Sequence, residues 1–235
     1  MEEYSLKVIA RIHSDFPTKF GIPRQSGLIP ELTAAVVFEP DYRNPEALRG
    51  LEDFSYIWLI WQFSEALREE WSPTVRPPRL GGNRRVGVFA SRSPFRPNAI
   101  GLSSVRLLGI EKHPRYGEIL RVSGADLMDG TPIFDIKPYL PYGDCHPEAS
   151  GGFTRELPEP LLAVDFPEKL LEQIPEERRE ALKAVLAHDI RPGYQRDEKR
   201  LYGLPFAGFD VKFRVTGKTL TVVEVRRMEQ KGEQL

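Results

Sequence analysis

The chain has 235 residues, with 33 Lys+Arg against 34 Asp+Glu and a formal net charge of −1. With 40% hydrophobic and 29% charged residues it has the material for a packed core, which excludes a disordered polyelectrolyte. A total so balanced also speaks against a nucleic-acid partner, since such proteins usually carry a basic excess.

Residues 1–155 read as β-rich. Residues 5–12 alternate apolar and polar, and 32–38 is a β-branched run ending before Pro40. Residues 54–63 are almost continuously apolar and aromatic, the pattern of a strand buried on both faces. Residues 86–90, 100–110 and 118–123 are further strands, and 45–51 and 65–71 are short helices. This many strands with irregular connections predicts a small antiparallel β-barrel rather than alternating βαβ units. The Pro-rich 157–160 marks a boundary, and residues 156–235 predict a small α+β domain. Within it 167–189 is helical, with Pro175 opening a second helix followed by Glu176, Glu177 and Glu180. Residues 209–215 and 219–225 alternate around Gly217 and Lys218 as a hairpin, so the domain is expected to be a helix plus a hairpin packed on the first.

Several chemistries are missing. Cys145 is the single cysteine, so no internal disulfide or Cys-rich zinc site is possible, as suits a reducing compartment. Glu2 and Glu3 and the lack of an apolar run argue against a signal peptide. The longest apolar stretch, 56–61, is far short of the roughly 20 residues of a membrane span. A cytoplasmic protein is expected. His13, His113, His146 and His188 have no metal-pair spacing, and no metal site is expected. The chain contains no P-loop, no GxGxxG fingerprint and no GxSxG elbow.

Resolved along the chain, the charge is far from uniform. Residues 1–70 carry −5, residues 71–110 carry +7 and residues 111–235 carry −3. The middle segment has no carboxylate, and its cations are all arginine: Arg76, Arg79, Arg84, Arg85, Arg92, Arg96 and Arg106. The guanidinium fork binds carboxylate or phosphate bidentately and stacks on bases. Pro77, Pro78, Gly81, Gly82, Pro94 and Pro97 lie between them, which predicts rigid loops with close backbone approach to an anionic ligand or RNA. A second constellation runs from Asp126, Leu127, Met128 and Asp129 through a Gly-Thr-Pro turn to Asp135, Lys137 and Tyr139, with Asp135 and Lys137 on one face of a short strand. A third is the loop containing Pro23, Arg24 and Gln25.

These strings together resemble the TrmO (YaeB-like) family of tRNA adenine-N6 methyltransferases. The resemblance runs through PRQSGL at 23–28, RPPRLGGNRRVGVFASRSPFRPNAIG at 76–101, DLMDGTPIFDIKPYLPY at 126–142 and HDIRPGY at 188–194. It implies a small β-barrel that binds S-adenosylmethionine in a non-Rossmann manner, works as a homodimer, and methylates N6 of threonylcarbamoyladenosine beside the anticodon of ACN-reading tRNAs. Carried over by position, it implies donor contacts from Pro23, Arg24, Gln25, Ser64, Glu65, Arg92, Leu102 and 126–129. The chain departs from the family's pattern at Ala99, at Ser64 and Glu65, and at Ile190 and Gly193.

The residues agree with that chemistry. Arg24 or Arg92 suits the donor's carboxylate, and Asp126 or Asp129 its ammonium or a ribose hydroxyl. Asp129, Asp135 or Tyr139 suits the proton leaving N6, and Tyr139 can stack a base. Arg76, Arg79, Arg84, Arg96, Lys137, Arg191 and Tyr194 suit the tRNA. The competing reading is a barrel that holds RNA or a nucleotide without chemistry. A phosphate-handling hydrolase is disfavoured by the missing metal cluster.

Overall fold

Period-two alternation puts every second side chain on one face of a strand, so the strands of the first half can wall a core from one side only. The protein, seen in a computed structural model, is described over residues 2–67, 70–77, 80, 84–154, 161–191 and 197–229. Its first eight strands are β1 (Ala10–His13), β2 (Thr33–Phe38), β3 (Tyr56–Gln62), β4 (Thr74–Val75), β5 (Val86–Gly87), β6 (Ile100–His113), β7 (Gly117–Ser123) and β8 (Pro132–Pro138). Six of them close on themselves as an antiparallel barrel in the order β1-β2-β7-β6-β3-β8. The remaining pair, β4 and β5, forms a separate two-stranded ribbon inside the β3–β6 connection. Ile12, Val36, Ile57, Leu59, Val105, Leu120, Val122 and Ile133 fill the barrel.

Antiparallel order places the connections 14–32, 63–99 and 124–131 at one end of the barrel. That end carries most of the arginine-only segment and two of the other singled-out strings. The opposite end carries the 39–55 connection and the residues after β8, including α1 (Pro141–Asp144).

The C-terminal part is richer than a helix plus a hairpin. It comprises β9 (Ala163–Asp165), α2 (Glu168–Leu171), α3 (Glu176–Ala187), β10 (Tyr202–Phe206), β11 (Phe209–Thr216) and β12 (Thr219–Arg227). The four strands form one sheet ordered β10-β11-β12-β9, with β9 parallel to β12. The hairpin at Gly217 is where the pattern put it, but β9 is only three residues long and β10 contains Pro205, so neither stands out in sequence. Ala181, Leu182, Val185 and Leu186 of α3 pack on this sheet in a second core.

Three residues of the 14–32 connection, Phe16, Ile29 and Leu32, belong to that second core. The Ala207 amide donates to the Asp15 carbonyl at 2.9 Å, and Arg178 of α3 lies 3.1 Å from Asp15 Oδ2 and donates to Thr33 Oγ1 at 3.1 Å. The loop between β1 and β2 is thereby clamped between barrel and C-terminal sheet.

Other expectations are corrected in detail. β3 is not buried on both faces: Ile57, Leu59 and Trp61 point inward, while Tyr56 is exposed and Trp58 and Ile60 are half-buried on the outer wall. The first strand starts only at Ala10, where pairing with both β2 and β8 begins. Strand 86–90 stops at Gly87 and turns into a 3-10 turn over Val88–Ala90. Helix 45–51 is two 3-10 turns, Pro45–Leu48 and Leu51–Asp53. Helix 65–71 is a single 3-10 turn, Ser64–Ala66, with residues 68–69 outside the described set. Runs of three or four residues cannot offset the cost of helix nucleation. Among the described residues no helix is long and apolar enough to cross a membrane.

Candidate functional site

The three connections at one end of the barrel wall a cavity of about 490 Å³, inside the range of about 300–1,000 Å³ usual for small-ligand sites. Its floor begins with a cross-strand pair, Trp61 of β3 opposite Gly101 of β6. A Cβ at position 101 would overlap the indole, so the ring fits only above a glycine. The indole Nε1 donates to Ser103 Oγ at 3.0 Å, and Ser103 Oγ donates to Asp126 Oδ1 at 2.6 Å. Ser103 is 1% exposed, so this chain of hydrogen bonds passes through the interior and fixes the carboxylate from behind.

Burial raises the Asp126 carboxyl above the usual range, opposed by the Ser103 hydrogen bond, by backbone amides and by the Arg92 charge. Arg92, on the 91–96 turn, donates to Gln25 Oε1 across the cavity mouth. Two separate connections are thus tied together over the space they enclose. Arg96 also lines the cavity, but its guanidinium braces its own loop by donating to the Ser91 and Val88 carbonyls at 3.1 and 3.4 Å. Phe63, Leu102 and Met128 complete an apolar and aromatic side opposite these charges.

Of the singled-out donor-site residues, Pro23, Arg24, Gln25, Ser64, Glu65, Arg92, Leu102, Asp126 and Met128 line this one cavity. Leu127 does not; it is 1% exposed and fills the barrel core. Asp129 is turned the other way, toward β1, where it accepts from the Ser14 amide at 3.1 Å and lies 3.4 Å from His13 Nδ1. Asp135 and Lys137 do share a face, but it is the outer wall, and they pair with each other at 3.1 Å. Tyr139 follows β8 at the far end of the barrel, bonded through its amide to the Tyr56 carbonyl, with its ring 5.6 Å from Trp58. Desolvation, with Cys145 and Asp144 nearby, raises the Tyr139 hydroxyl, which suits a donor rather than a base. Within one chain, then, none of Asp129, Asp135 and Tyr139 reaches the cavity.

Arg76 and Arg84 are exposed on the β3–β6 connection, and Arg79 lies outside the described residues. Arg191 grips Asp189 with two hydrogen bonds, of 2.7 and 2.9 Å. Burial raises the Asp189 carboxyl, but Arg191 and the cavity residue Arg24 outweigh it and hold it below the usual range. Tyr194 lies outside the described residues. Trp61, Phe63, Gly101 and Ser103 were not singled out. An apolar strand residue and a small polar one carry no chemical signal until register brings them against Asp126.

Two family models match the chain: the tRNA-methyltransferase O N-terminal domain over residues 11–145 and the TrmO C-terminal domain over residues 159–228. The chain is 40% identical over 224 residues to a tRNA (adenine(37)-N6)-methyltransferase of Escherichia coli, covering 92% of this chain and 95% of the relative. It is 43% identical over 216 residues to a putative S-adenosylmethionine-dependent methyltransferase, RcsF, of Pseudomonas aeruginosa, covering 88% and 91%. A crystal structure of TrmO from Pseudomonas aeruginosa superposes with a TM-score of 0.78 at 34% identity, covering 97% of this chain and 98% of that one.

Proposed function

The chain belongs to the TrmO family, and from that premise we propose that it transfers a methyl group from S-adenosylmethionine to N6 of threonylcarbamoyladenosine at position 37 of ACN-reading threonine tRNA. It is a tRNA (adenine37-N6)-methyltransferase that uses S-adenosylmethionine. The observation that carries the cofactor assignment is the donor set of the cavity: the cations Arg24 and Arg92, the carboxylate Asp126 and the aromatic Trp61 and Phe63 face one space. A zwitterionic ligand with an aromatic base needs that mixture.

Arg24 or Arg92 would hold the ligand's carboxylate. Asp126, preoriented by Ser103, would hold its ammonium or a ribose hydroxyl. Trp61 and Phe63, whose rings pack 4.3 Å apart, would offer the ligand's aromatic base an apolar face. When bound, S-adenosylmethionine supplies an electrophilic methyl carbon whose bond to sulfur breaks as the bond to N6 forms, while the N6 proton leaves. Among the described residues, the carboxylates that line that space are Asp126 and Glu65. Positioning carries much of the rate in such an in-line displacement, and the Arg92–Gln25 latch and the Trp61–Ser103–Asp126 chain are the positioning elements.

Asp135, Lys137 and Tyr139 act, in this reading, from a second subunit. The outer wall of β8, β3 and β6 exposes Tyr56, Leu102 and Leu108 beside the half-buried Trp58 and Ile60, and Tyr139 and Asp144 pack against Trp58 at its far end. A homodimer across this wall would carry Tyr139 toward the partner subunit's cavity, where its ring would meet the target base. The cytoplasm, where tRNA is modified, is the proposed location.

Incorporation of labelled methyl into tRNA carrying threonylcarbamoyladenosine, compared with the same tRNA lacking it, tests the reading. Transfer to the modified tRNA alone is expected; no transfer to either would overturn it. Arg92→Ala is expected to weaken donor binding by about tenfold, the loss of one charge-assisted contact. Calorimetry showing unchanged affinity would remove Arg92 from the site.

A further inference from the structure

The β4–β5 ribbon does something that neither core explains. Thr74 pairs with Gly87 and Val75 with Val86, and the Val88 amide donates to the Pro73 carbonyl at 3.0 Å. Beyond that ladder the chain turns into the 3-10 turn Val88–Ala90, which brings Phe89 beside Trp71, the residue three before β4. Their ring centroids are 6.1 Å apart and their planes 26° from parallel. Neither ring belongs to a hydrophobic core, and both face solvent, Phe89 at 75% and Trp71 at 48% exposure. Exposing two large rings costs solvation free energy that their packing does not return.

Their place is equally specific. Trp71 borders a small recess that shares Ala66, Pro94 and Arg96 with the main cavity. The ribbon also exposes cations: Arg76, Arg84 and Arg85 have no carboxylate partner among the described residues, and Arg85 donates to Thr74 Oγ1 at 3.1 Å. Glu70 also borders the recess and can accept from a base amino group. Two near-parallel exposed rings amid arginines, next to the cavity, match the chemistry of single-stranded nucleic acid, in which bases stack on aromatic faces and phosphates meet guanidinium groups.

We propose that Trp71 and Phe89 form a stacking platform for a neighbouring nucleobase of the anticodon loop while the target base enters the cavity. This rests on the tRNA reading above. The ribbon is the positioning element: it fixes the two rings to each other and, through the 88–96 turn, to the cavity mouth. Stacking here is indifferent to sequence, so the platform supplies affinity and direction of approach, and selection of the target base remains with the cavity.

The test uses the full chain, a labelled anticodon stem-loop and intact tRNA. Trp71→Ala and Phe89→Ala are each expected to weaken stem-loop binding by about tenfold, the loss of one stacked ring, and to raise KM for tRNA. Trp71→Phe should retain near wild-type affinity. S-adenosylmethionine affinity and thermal midpoint should not move, because both rings lie outside the cores. The salt dependence of RNA binding should keep its slope in these variants, whereas Arg84→Ala should lower it by about one. Alanine variants that bind RNA as the wild type does would overturn the platform. So would variants that become monomeric in sedimentation velocity at unchanged RNA affinity, since the rings would then be a protein interface. If the wild type methylates tRNA and the variants match it, the platform alone falls; if the wild type neither binds nor methylates tRNA, the functional reading falls with it.

Discussion

Trp61 occupies volume that any side chain at position 101 would claim, because a Cβ there would fall inside the indole's van der Waals surface. Gly101→Ala must therefore displace the indole and with it the Ser103–Asp126 hydrogen bonds. We expect a loss of about 1–3 kcal/mol, the usual cost of overpacking, together with weaker donor binding; urea titration and calorimetry check the two effects. Asp15 makes a different residue-scale prediction. Burial raises its carboxyl to about 6, against the attraction of Arg178 and with repulsion from Asp129 and Glu177. Arg178 is 3.1 Å from Oδ2, yet that buried oxygen has no well-aligned hydrogen bond. The folded state thus holds the Asp15 proton more tightly than the unfolded chain does. The resulting stabilisation is full below about pH 4 and is lost as pH rises through about 6, a change of about 3 kcal/mol. Asp15→Asn, which cannot ionise, should match or exceed the wild type in urea stability at pH 8. A large loss for that variant at pH 8 would show that the ion pair outweighs desolvation.

Among the elements, the 14–32 connection bears on both halves of the molecule. It closes the cavity with Pro23, Arg24 and Gln25 and sends Phe16, Ile29 and Leu32 into the C-terminal core. Gly21 makes the bend between these tasks, with φ of +88° and Leu204 of β10 where a Cβ would stand. Gly21→Ala combines a disfavoured backbone with a clash, so a loss of about 1–3 kcal/mol is expected. Because the same loop carries Arg24, donor affinity should fall too. Thermal unfolding and donor titration on the one variant read both, and a stability loss with intact affinity would show that the loop's two ends act independently. The Gln25–Arg92 latch joins this connection to the next, which is why a loop of unremarkable composition reaches the site at all.

Over the whole molecule, a net charge of −1 conceals a division of space. The barrel's antiparallel order gathers the 63–99 connection, with most of the +7 segment, at the cavity end. The wall of β8, β3 and β6 is the second large-scale feature. Leu108 is 50% exposed there, away from the cavity lining. Leu108→Glu is expected to convert a dimer to a monomer in sedimentation velocity and to lower methyl transfer, while leaving donor binding in place. A variant that stays dimeric would move the proposed interface elsewhere.

How much of this was legible depends on the range of the interaction concerned. Local pattern was enough for the strand-rich first half, α3 with its apolar face and the hairpin at Gly217, and for picking out the strings that contain Arg24 and Asp126. Each is set by contacts between near neighbours or by a string long enough to identify the family. Register decided the rest. Only pairing across β3 and β6 brings Trp61, Gly101 and Ser103 behind Asp126, and only closure of the barrel sends Asp135 to the outer wall and Tyr139 to the far end. Local pattern says which residue types can do the chemistry; which of them share one cavity is fixed by hydrogen bonds between strands distant in the chain, and that distance carries no trace in the order of the residues.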